Sequence, residues 1–97
     1  YAGTPNWAAP ELCKHGNYNE FSDMYAFGVL LLVLWQGRSS RQVFQDQNWK
    51  SSNSAHNRDM AQRAPWLHQL ARQCMSENRT ARPSARHACT VLTSKLV

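Results

Sequence analysis

The sequence predicts a mainly α-helical fold, and three observations carry that prediction. Residues 21–37 form a long apolar segment with capping residues at both ends. Pro65 and Pro83 each precede an apolar repeat of helical spacing, and no stretch shows the alternation of a half-buried strand. The chain has 97 residues, enough for one small domain whose own core is expected to be marginal.

The first twenty residues are predicted to be mostly loop. Residues 1–11 contain two Pro and one Gly, which indicates an ordered loop with a short helix after Pro10. Residues 14–20 contain Gly16 and two Asn, which is typical of a second connection.

Residues 21–37 give the strongest local signal for a helix. Ser22 is predicted as the N-cap, Asp23 favours the positive end of the helix dipole, and Gly37 fits a C-terminal stop. The residues between them are apolar on every face, so the helix is expected to be buried on all sides, although such a run could also form a central strand. A helix that is apolar on every face needs other helices packed around its whole circumference, and the chain offers only two more convincing helices. The protein is therefore predicted to be incomplete.

The rest of the chain divides into a polar segment and two helices. Residues 38–58 are predicted to be a mobile connection with one short helix, in which the apolar residues are isolated. The next helix is expected to begin at Pro65 and the last at Pro83. Their apolar positions recur at helical spacing, namely Trp66, Leu67, Leu70, Ala71, Cys74 and Met75 in one helix and Ala85, Ala88, Cys89, Leu92 and Leu96 in the other.

Charge is unevenly distributed along the chain, whose formal net charge is +5. Residues 1–37 carry one Lys against three acidic residues, a balance of −2, and residues 38–97 carry ten Lys and Arg against three, a balance of +7. A basic half can attract nucleic acid, anionic lipid or an acidic protein. The basic residues are scattered, however, and this favours a solvated surface with no nucleic-acid partner.

Several function classes are excluded by composition. The 42% hydrophobic content and four Trp are unlike a disordered tail, and no apolar run approaches the roughly 20 residues of a membrane span. Three Cys without paired spacing, and no signal peptide, predict a reduced, cytoplasmic setting. The absence of an initial Met suggests a fragment. The His and Cys residues do not show the paired spacing of a metal site, so no metal site is predicted. These residues are His15, His56, His68, His87, Cys13, Cys74 and Cys89.

Three segments, in this order, resemble segments of the protein kinase family. Residues 3–11, GTPNWAAPE, resemble the end of the activation segment, usually written GTxxWMAPE, and residues 22–29, SDMYAFGV, resemble the start of the F helix, commonly SDVYSFGV. Cys74-Met75 and the Arg82-Pro83-Ser84 that follows resemble the later CW…RPS segment. The resemblance covers the whole chain and is nearest to the tyrosine kinase-like group of serine/threonine kinases. It implies the C-terminal helical part of the kinase fold over residues 1–97, without the N-lobe and the catalytic loop.

The resemblance implies roles for three charged residues. Glu11 and Arg82 correspond to the buried ion pair of the family, and Pro83 supports this because it biases Arg82 to an extended backbone. Without the resemblance, two exposed charges of little energetic value would be the default interpretation. Asp23 corresponds to the residue that holds the catalytic loop, although a capping role alone is an alternative. Gly28 would allow another backbone to approach closely.

The resemblance also implies a peptide-binding loop. Thr4 corresponds to the residue that, in serine/threonine kinases, lies near the acceptor hydroxyl, and Pro5 and Trp7 would form the platform beside the substrate. Tyr1 stands where the activation loop arrives, so it is either a phosphorylation site or an aromatic residue that packs against the lobe.

The parts that bind ATP are absent from this sequence. It contains no glycine-rich loop, no His-Arg-Asp and no Asp-Phe-Gly, so Mg²⁺ and ATP are expected in the full-length protein and not on this chain. Three hypotheses remain open: part of a serine/threonine kinase, inactive alone; a pseudokinase that acts as a protein-binding scaffold; and a free-standing helical interaction domain. The expected partners are a protein substrate and the rest of the kinase domain.

Overall fold

The computed structural model describes residues 5–11 and 19–96, and residues 1–4, 12–18 and 97 lie outside the described part. The α-helices that lie wholly within it are α1 (Glu20–Gln36), α2 (Ser40–Gln45), α3 (Ala55–Arg63), α4 (Pro65–Cys74) and α5 (Ala85–Leu96), with short 3₁₀ helices at Pro5–Trp7 and Arg79–Ala81. No strand occurs in the described residues, and the prediction of a mainly α-helical fold is confirmed for them. None of these helices combines the length and the apolar character that crossing a bilayer requires.

Helix α1 is the predicted long apolar helix, but its N-cap is Asn19 and the prediction of Ser22 was wrong. The Asn19 side chain accepts a hydrogen bond from the Ser22 amide at 2.9 Å, and the Ser22 hydroxyl accepts one from the Asn19 amide at 3.0 Å. This reciprocal capping box satisfies two amides at once, so the helix begins three residues before the position expected for a Ser22 cap. The predicted stop is confirmed, since Gly37 caps the other end with a φ of 66°.

The core forms where α1 packs against α4. Helix α1 buries Tyr25, Val29 and Leu32 in the main cluster, and α4 and the residue after it contribute Ala71 and Met75. The expectation that α1 is buried on all sides was wrong. Leu30 and Leu34 are 38% and 64% exposed, because the described helices pack around only part of its circumference.

Residues 38–58 contain more helix and more buried side chains than the sequence predicted. The one short helix expected there is α2, but a further helix, α3, begins at Ala55 within the same segment. Val43 and Trp49, which read as isolated apolar residues in the sequence, are both buried in the main core cluster. Isolated apolar positions in a sequence can therefore converge once the chain folds back on itself.

The last two helices differ in how they begin. Helix α4 begins at Pro65 as predicted. Helix α5 begins at Ala85, so the expected start at Pro83 was wrong by two residues. The Ser84 hydroxyl accepts a hydrogen bond from the His87 amide at 3.1 Å, which places the cap after the proline. Only Ala88 of the apolar positions described on α5 is fully buried, in a second small cluster with Met24, Leu70 and Cys74.

Helices α1 and α4 approach each other closely at Gly28. A Cβ atom placed there would lie 2.8 Å from the carbonyl oxygen of Ala71, and equally near Cys74 Cβ and Met75 Cγ. The backbone carbonyl cannot move without disturbing α4. The expected close approach at Gly28 is therefore observed, and it requires a residue without a side chain.

Gly28→Ala is predicted to lower the free energy of unfolding by about 1–3 kcal/mol, because the added methyl group overpacks the α1–α4 contact. Helix propensity alone would act in the opposite direction by about 1 kcal/mol. Urea denaturation measures the difference. Gly37→Asn is the control, since nothing lies within 4 Å of its Cβ position and Asn tolerates a positive φ. A Gly28→Ala protein as stable as the wild type would contradict the prediction.

Candidate functional site

The candidate site is organised around Arg82, which follows the second 3₁₀ helix. Its backbone is extended, with φ −74° and ψ 142°, as expected for a residue that precedes a proline. This conformation directs the side chain into the protein, where it has no exposed surface. A buried guanidinium requires an acceptor for nearly every N–H group and a compensating charge.

The described contacts satisfy the Arg82 guanidinium almost completely. Nη1 donates to Oε2 of Glu11 at 2.7 Å and Nη2 donates to Oε1 at 2.9 Å, which is a bidentate ion pair. Nη1 also donates to the carbonyl of Phe21 and Nε to the carbonyl of Ser76, both at 2.9 Å. Arg82 therefore joins three stretches of chain that are distant in sequence: residues 5–11, the start of α1 and the connection after α4.

An aromatic ring completes the surroundings of Arg82. The guanidinium carbon lies 5.2 Å from the ring centroid of Tyr25 in α1, and the ammonium of Lys50 lies at the same distance from that centroid. Both distances fall within the range of cation–π attraction. Tyr25 thus contributes both to the core and to the charged site.

The pKa of the Glu11 carboxyl is held below its ordinary value, chiefly by the hydrogen bonds from Arg82. Burial acts in the opposite direction but is the smaller effect, and the positive charges of Arg82 and Arg79 add to the lowering. Glu11 is therefore ionised at neutral pH and balances the buried cation.

Of the predicted peptide-binding residues, only Trp7 has a described side chain. Thr4 lies outside the described residues, as does Tyr1, and for Pro5 the backbone alone is described, at the start of the first 3₁₀ helix. The half-buried Trp7 ring packs edge-to-face on Phe44 of α2, with centroids 5.4 Å apart and planes at 86°. Phe44 in turn packs on Trp49, with centroids 4.9 Å apart.

Asn57 supports this aromatic contact, and the sequence analysis did not identify it. Its side chain is buried in α3, and its amide nitrogen donates to the carbonyls of Trp49 at 3.0 Å and Ser51 at 2.7 Å. These two hydrogen bonds fix the turn between α2 and α3. No local sequence pattern marks such a residue, because its partners are defined only by the fold.

Asp23 lies one turn into α1, on the surface. Its amide donates to the Asn19 carbonyl at 3.2 Å, while the side-chain cap of the helix is Asn19 itself. Within residues 5–11 and 19–96, no hydrogen bond reaches the Asp23 carboxylate. Asp23 lines a cavity of about 250 Å³ together with Arg82 and Ser84, so this carboxylate is open to a further backbone or ligand.

Within residues 5–11 and 19–96, the side chains do not form a site that fits Mg²⁺. The described part of the chain holds no group of three or more His, Cys, Asp or Glu residues arranged for a metal ion. The four glycines, Gly3, Gly16, Gly28 and Gly37, are too far apart to form a phosphate-binding loop. Burial also raises the pKa of the Cys74 thiol to about 11, so this group is not a nucleophile at neutral pH.

Comparison with known proteins gives a consistent result. The family model described as protein tyrosine and serine/threonine kinase matches residues 2–92. The chain is 28% identical over 95% of its length to cysteine-rich receptor-like protein kinase 27 of Arabidopsis thaliana, and 33% identical over 84% to dual specificity protein kinase shkA of Dictyostelium discoideum. Over 48% of its length it is 43% identical to serine/threonine-protein kinase CTR1 of Arabidopsis thaliana. It spans only 17%, 16% and 5% of these relatives, respectively. The resemblance drawn from the three sequence motifs is confirmed.

Glu11→Ala is predicted to lower the free energy of unfolding at pH 7 by about 3–5 kcal/mol, because it leaves the Arg82 cation buried without its counter-charge. The pKa of Glu11 is lower in the folded state, so its stabilisation is complete above the ordinary value of 4.5 and is lost as the pH falls through the folded-state value. The difference between wild type and variant should therefore shrink below pH 4.5.

Urea denaturation between pH 7 and pH 3 measures both effects. Glu20→Ala is the matched control, since Glu20 is an exposed carboxylate in the first turn of α1, and its loss should cost no more than about 1 kcal/mol. Equal losses from the two variants would show that the ion pair does not stabilise the fold.

Proposed function

We propose that this chain, which belongs to the protein tyrosine and serine/threonine kinase family, forms the scaffold and the substrate side of a protein serine/threonine kinase. The observation that carries the proposal is the family match over nearly the whole chain. The proposed unit covers residues 1–97, from the end of the activation segment to the last helix of the kinase domain. The complete kinase would transfer the γ-phosphate of ATP to a protein hydroxyl.

Glu11 and Arg82 are proposed to hold the activation segment in place. Their bidentate contact and the additional bonds from Arg82 to Phe21 and Ser76 support this role, since they join the loop of residues 5–11 to two helical segments behind it. A substrate loop must keep its position to contribute to phosphoryl transfer, which depends mainly on orientation and electrostatics.

The loop itself is proposed to position the peptide substrate through Thr4, Pro5 and Trp7. The half-buried Trp7 ring supports this proposal, because one part packs on α2 and the rest remains accessible. Thr4 at this point of the motif favours Ser or Thr as the phosphate acceptor over Tyr.

Asp23 is proposed to anchor the catalytic loop of the kinase. Its exposed carboxylate and the adjoining cavity support this role, since carboxylate oxygens are strong acceptors for backbone amides. The helix does not depend on Asp23 as a side-chain cap, because Asn19 already performs that function.

Mg²⁺ and ATP are proposed to bind to another part of the kinase, where a glycine-rich loop, a strand lysine, a catalytic-loop aspartate and an Asp-Phe-Gly motif would hold them. When bound there, ATP with its Mg²⁺ would supply the phosphoryl group. The residues of the present chain would hold the peptide and brace the catalytic loop. Residues 1–97 alone are predicted to bind no ATP and to transfer no phosphate.

A radiolabelled phosphoryl-transfer assay tests the proposal with the full-length protein and with residues 1–97 in parallel. Metal-dependent transfer to Ser or Thr of a protein substrate by the full-length protein alone is the expected result. Transfer by residues 1–97 would overturn the proposed division of roles. A full-length protein that folds but transfers nothing would instead favour the pseudokinase alternative.

Asp23→Asn in the full-length protein is predicted to lower kcat about 100-fold, because loss of the anchor misplaces the catalytic loop. Thermal stability is measured alongside, because the proposed bonds from the catalytic loop to Asp23 would themselves stabilise the complete kinase. Glu77→Gln is the control and should leave kcat unchanged, because Glu77 is an exposed carboxylate that does not line the cavity beside Asp23. A similar kcat for both variants would contradict the anchoring role.

A further inference from the structure

An aromatic contact chain connects the peptide-binding loop to residues 38–58. Trp7 packs edge-to-face on Phe44, and Phe44 packs on Trp49 at an angle of 65°. Edge-to-face geometry is directional, so it fixes the relative orientation of the rings as well as their separation. The position of Trp7 therefore depends on where Phe44 is held.

Phe44 is held from one side by its own helix. Helix α2 has only six residues and would be marginal alone, but Ser39 and Gln42 close a capping box at its start. The neighbouring residue Val43 is completely buried in the core. Because Val43 is fixed, α2 cannot rotate, and the half-buried Phe44 ring faces Trp7.

Phe44 is held from the other side by Trp49 and its support. Trp49 is 8% exposed, and its carbonyl accepts one of the two hydrogen bonds from the buried Asn57 side chain. The second bond from Asn57, to Ser51, closes the turn. A buried amide with two satisfied donors is costly to displace, so the turn provides a firm support for the ring.

We propose that Phe44 is a positioning residue for the peptide substrate, acting through its edge-to-face contact with Trp7. This inference rests on the proposed function, in which Trp7 belongs to the peptide platform. In this proposal, α2 and the turn that follows it support the peptide platform. Phe44 determines peptide binding by holding the Trp7 indole in one orientation, while the ATP side of the reaction does not depend on it.

The test is steady-state kinetics of the full-length protein carrying Phe44→Leu, with a peptide substrate and ATP varied separately. The expected result is a peptide KM raised about two- to tenfold, the range that corresponds to loss of one aromatic pair. The KM for ATP and kcat should stay within about twofold of wild type. Phe44→Tyr keeps the ring and should restore the wild-type KM.

Phe27→Leu is the matched control, because it removes the same ring from α1 at a half-buried position. Phe27 packs on the second core cluster near α5, away from Trp7. The two Leu variants should therefore lose stability to a similar degree, and only Phe44→Leu should raise the peptide KM. An independent readout is the ¹⁹F resonance of 5-fluorotryptophan at Trp7, which Phe44→Leu should shift and Phe27→Leu should not.

The outcomes separate this inference from the proposed function. If the wild type is active and Phe44→Leu leaves the peptide KM unchanged, the positioning role is overturned and the proposed function stands. Equal KM changes in Phe44→Leu and Phe27→Leu would also overturn it, since general packing would then be the cause. A folded wild type that neither transfers phosphate nor binds peptide would overturn both.

Discussion

Arg82 carries a positive charge on a side chain without exposed surface, and three stretches of chain have to meet around it. The Glu11 carboxylate neutralises the charge, while the carbonyls of Phe21 and Ser76 accept its remaining directional bonds. None of these partners can be omitted without leaving a donor or a charge uncompensated in the interior. The loop of residues 5–11, the start of α1 and the connection after α4 are therefore fixed relative to one another.

The core and the site share the same residues, which explains why a small scaffold can hold a loop in place. Tyr25 packs in the main core cluster and lies beside both Arg82 and Lys50. At the opposite end of the loop, Trp7 packs against the same cluster and contacts Phe44. The loop is thus attached at two points, one ionic and one aromatic. The ionic attachment is formed around a side chain without exposed surface, so salt screens it less than it would screen a surface ion pair.

The sequence predicted those features that depend on local pattern. The existence of α1, its stop at Gly37 and the start of α4 at Pro65 all follow from periodicity and capping. The start of α1 was wrong by three residues, because Ser22 offers a capping side chain as good as that of Asn19. Helix α3 was missed because it is mostly polar and buries chiefly Met60 and Asn57. The ion pair joins residues 71 positions apart, so no periodicity of the sequence indicates it. It was predicted only from the family resemblance. Neither the periodicity of the sequence nor the family resemblance indicated the contact of Trp7 with Phe44.

The 71-residue separation of Glu11 and Arg82 also has a consequence for the order of folding. A contact that closes so long a loop must overcome its closure entropy first, whereas α3 and α4 are neighbours along the chain. We therefore expect the helices to assemble early and residues 5–11 to dock last. By the same reasoning, we expect undocking of residues 5–11 to require less free energy than unfolding of the helices. Residues 5–11 would then be the first part of the fold to respond when the Arg82 contact is lost.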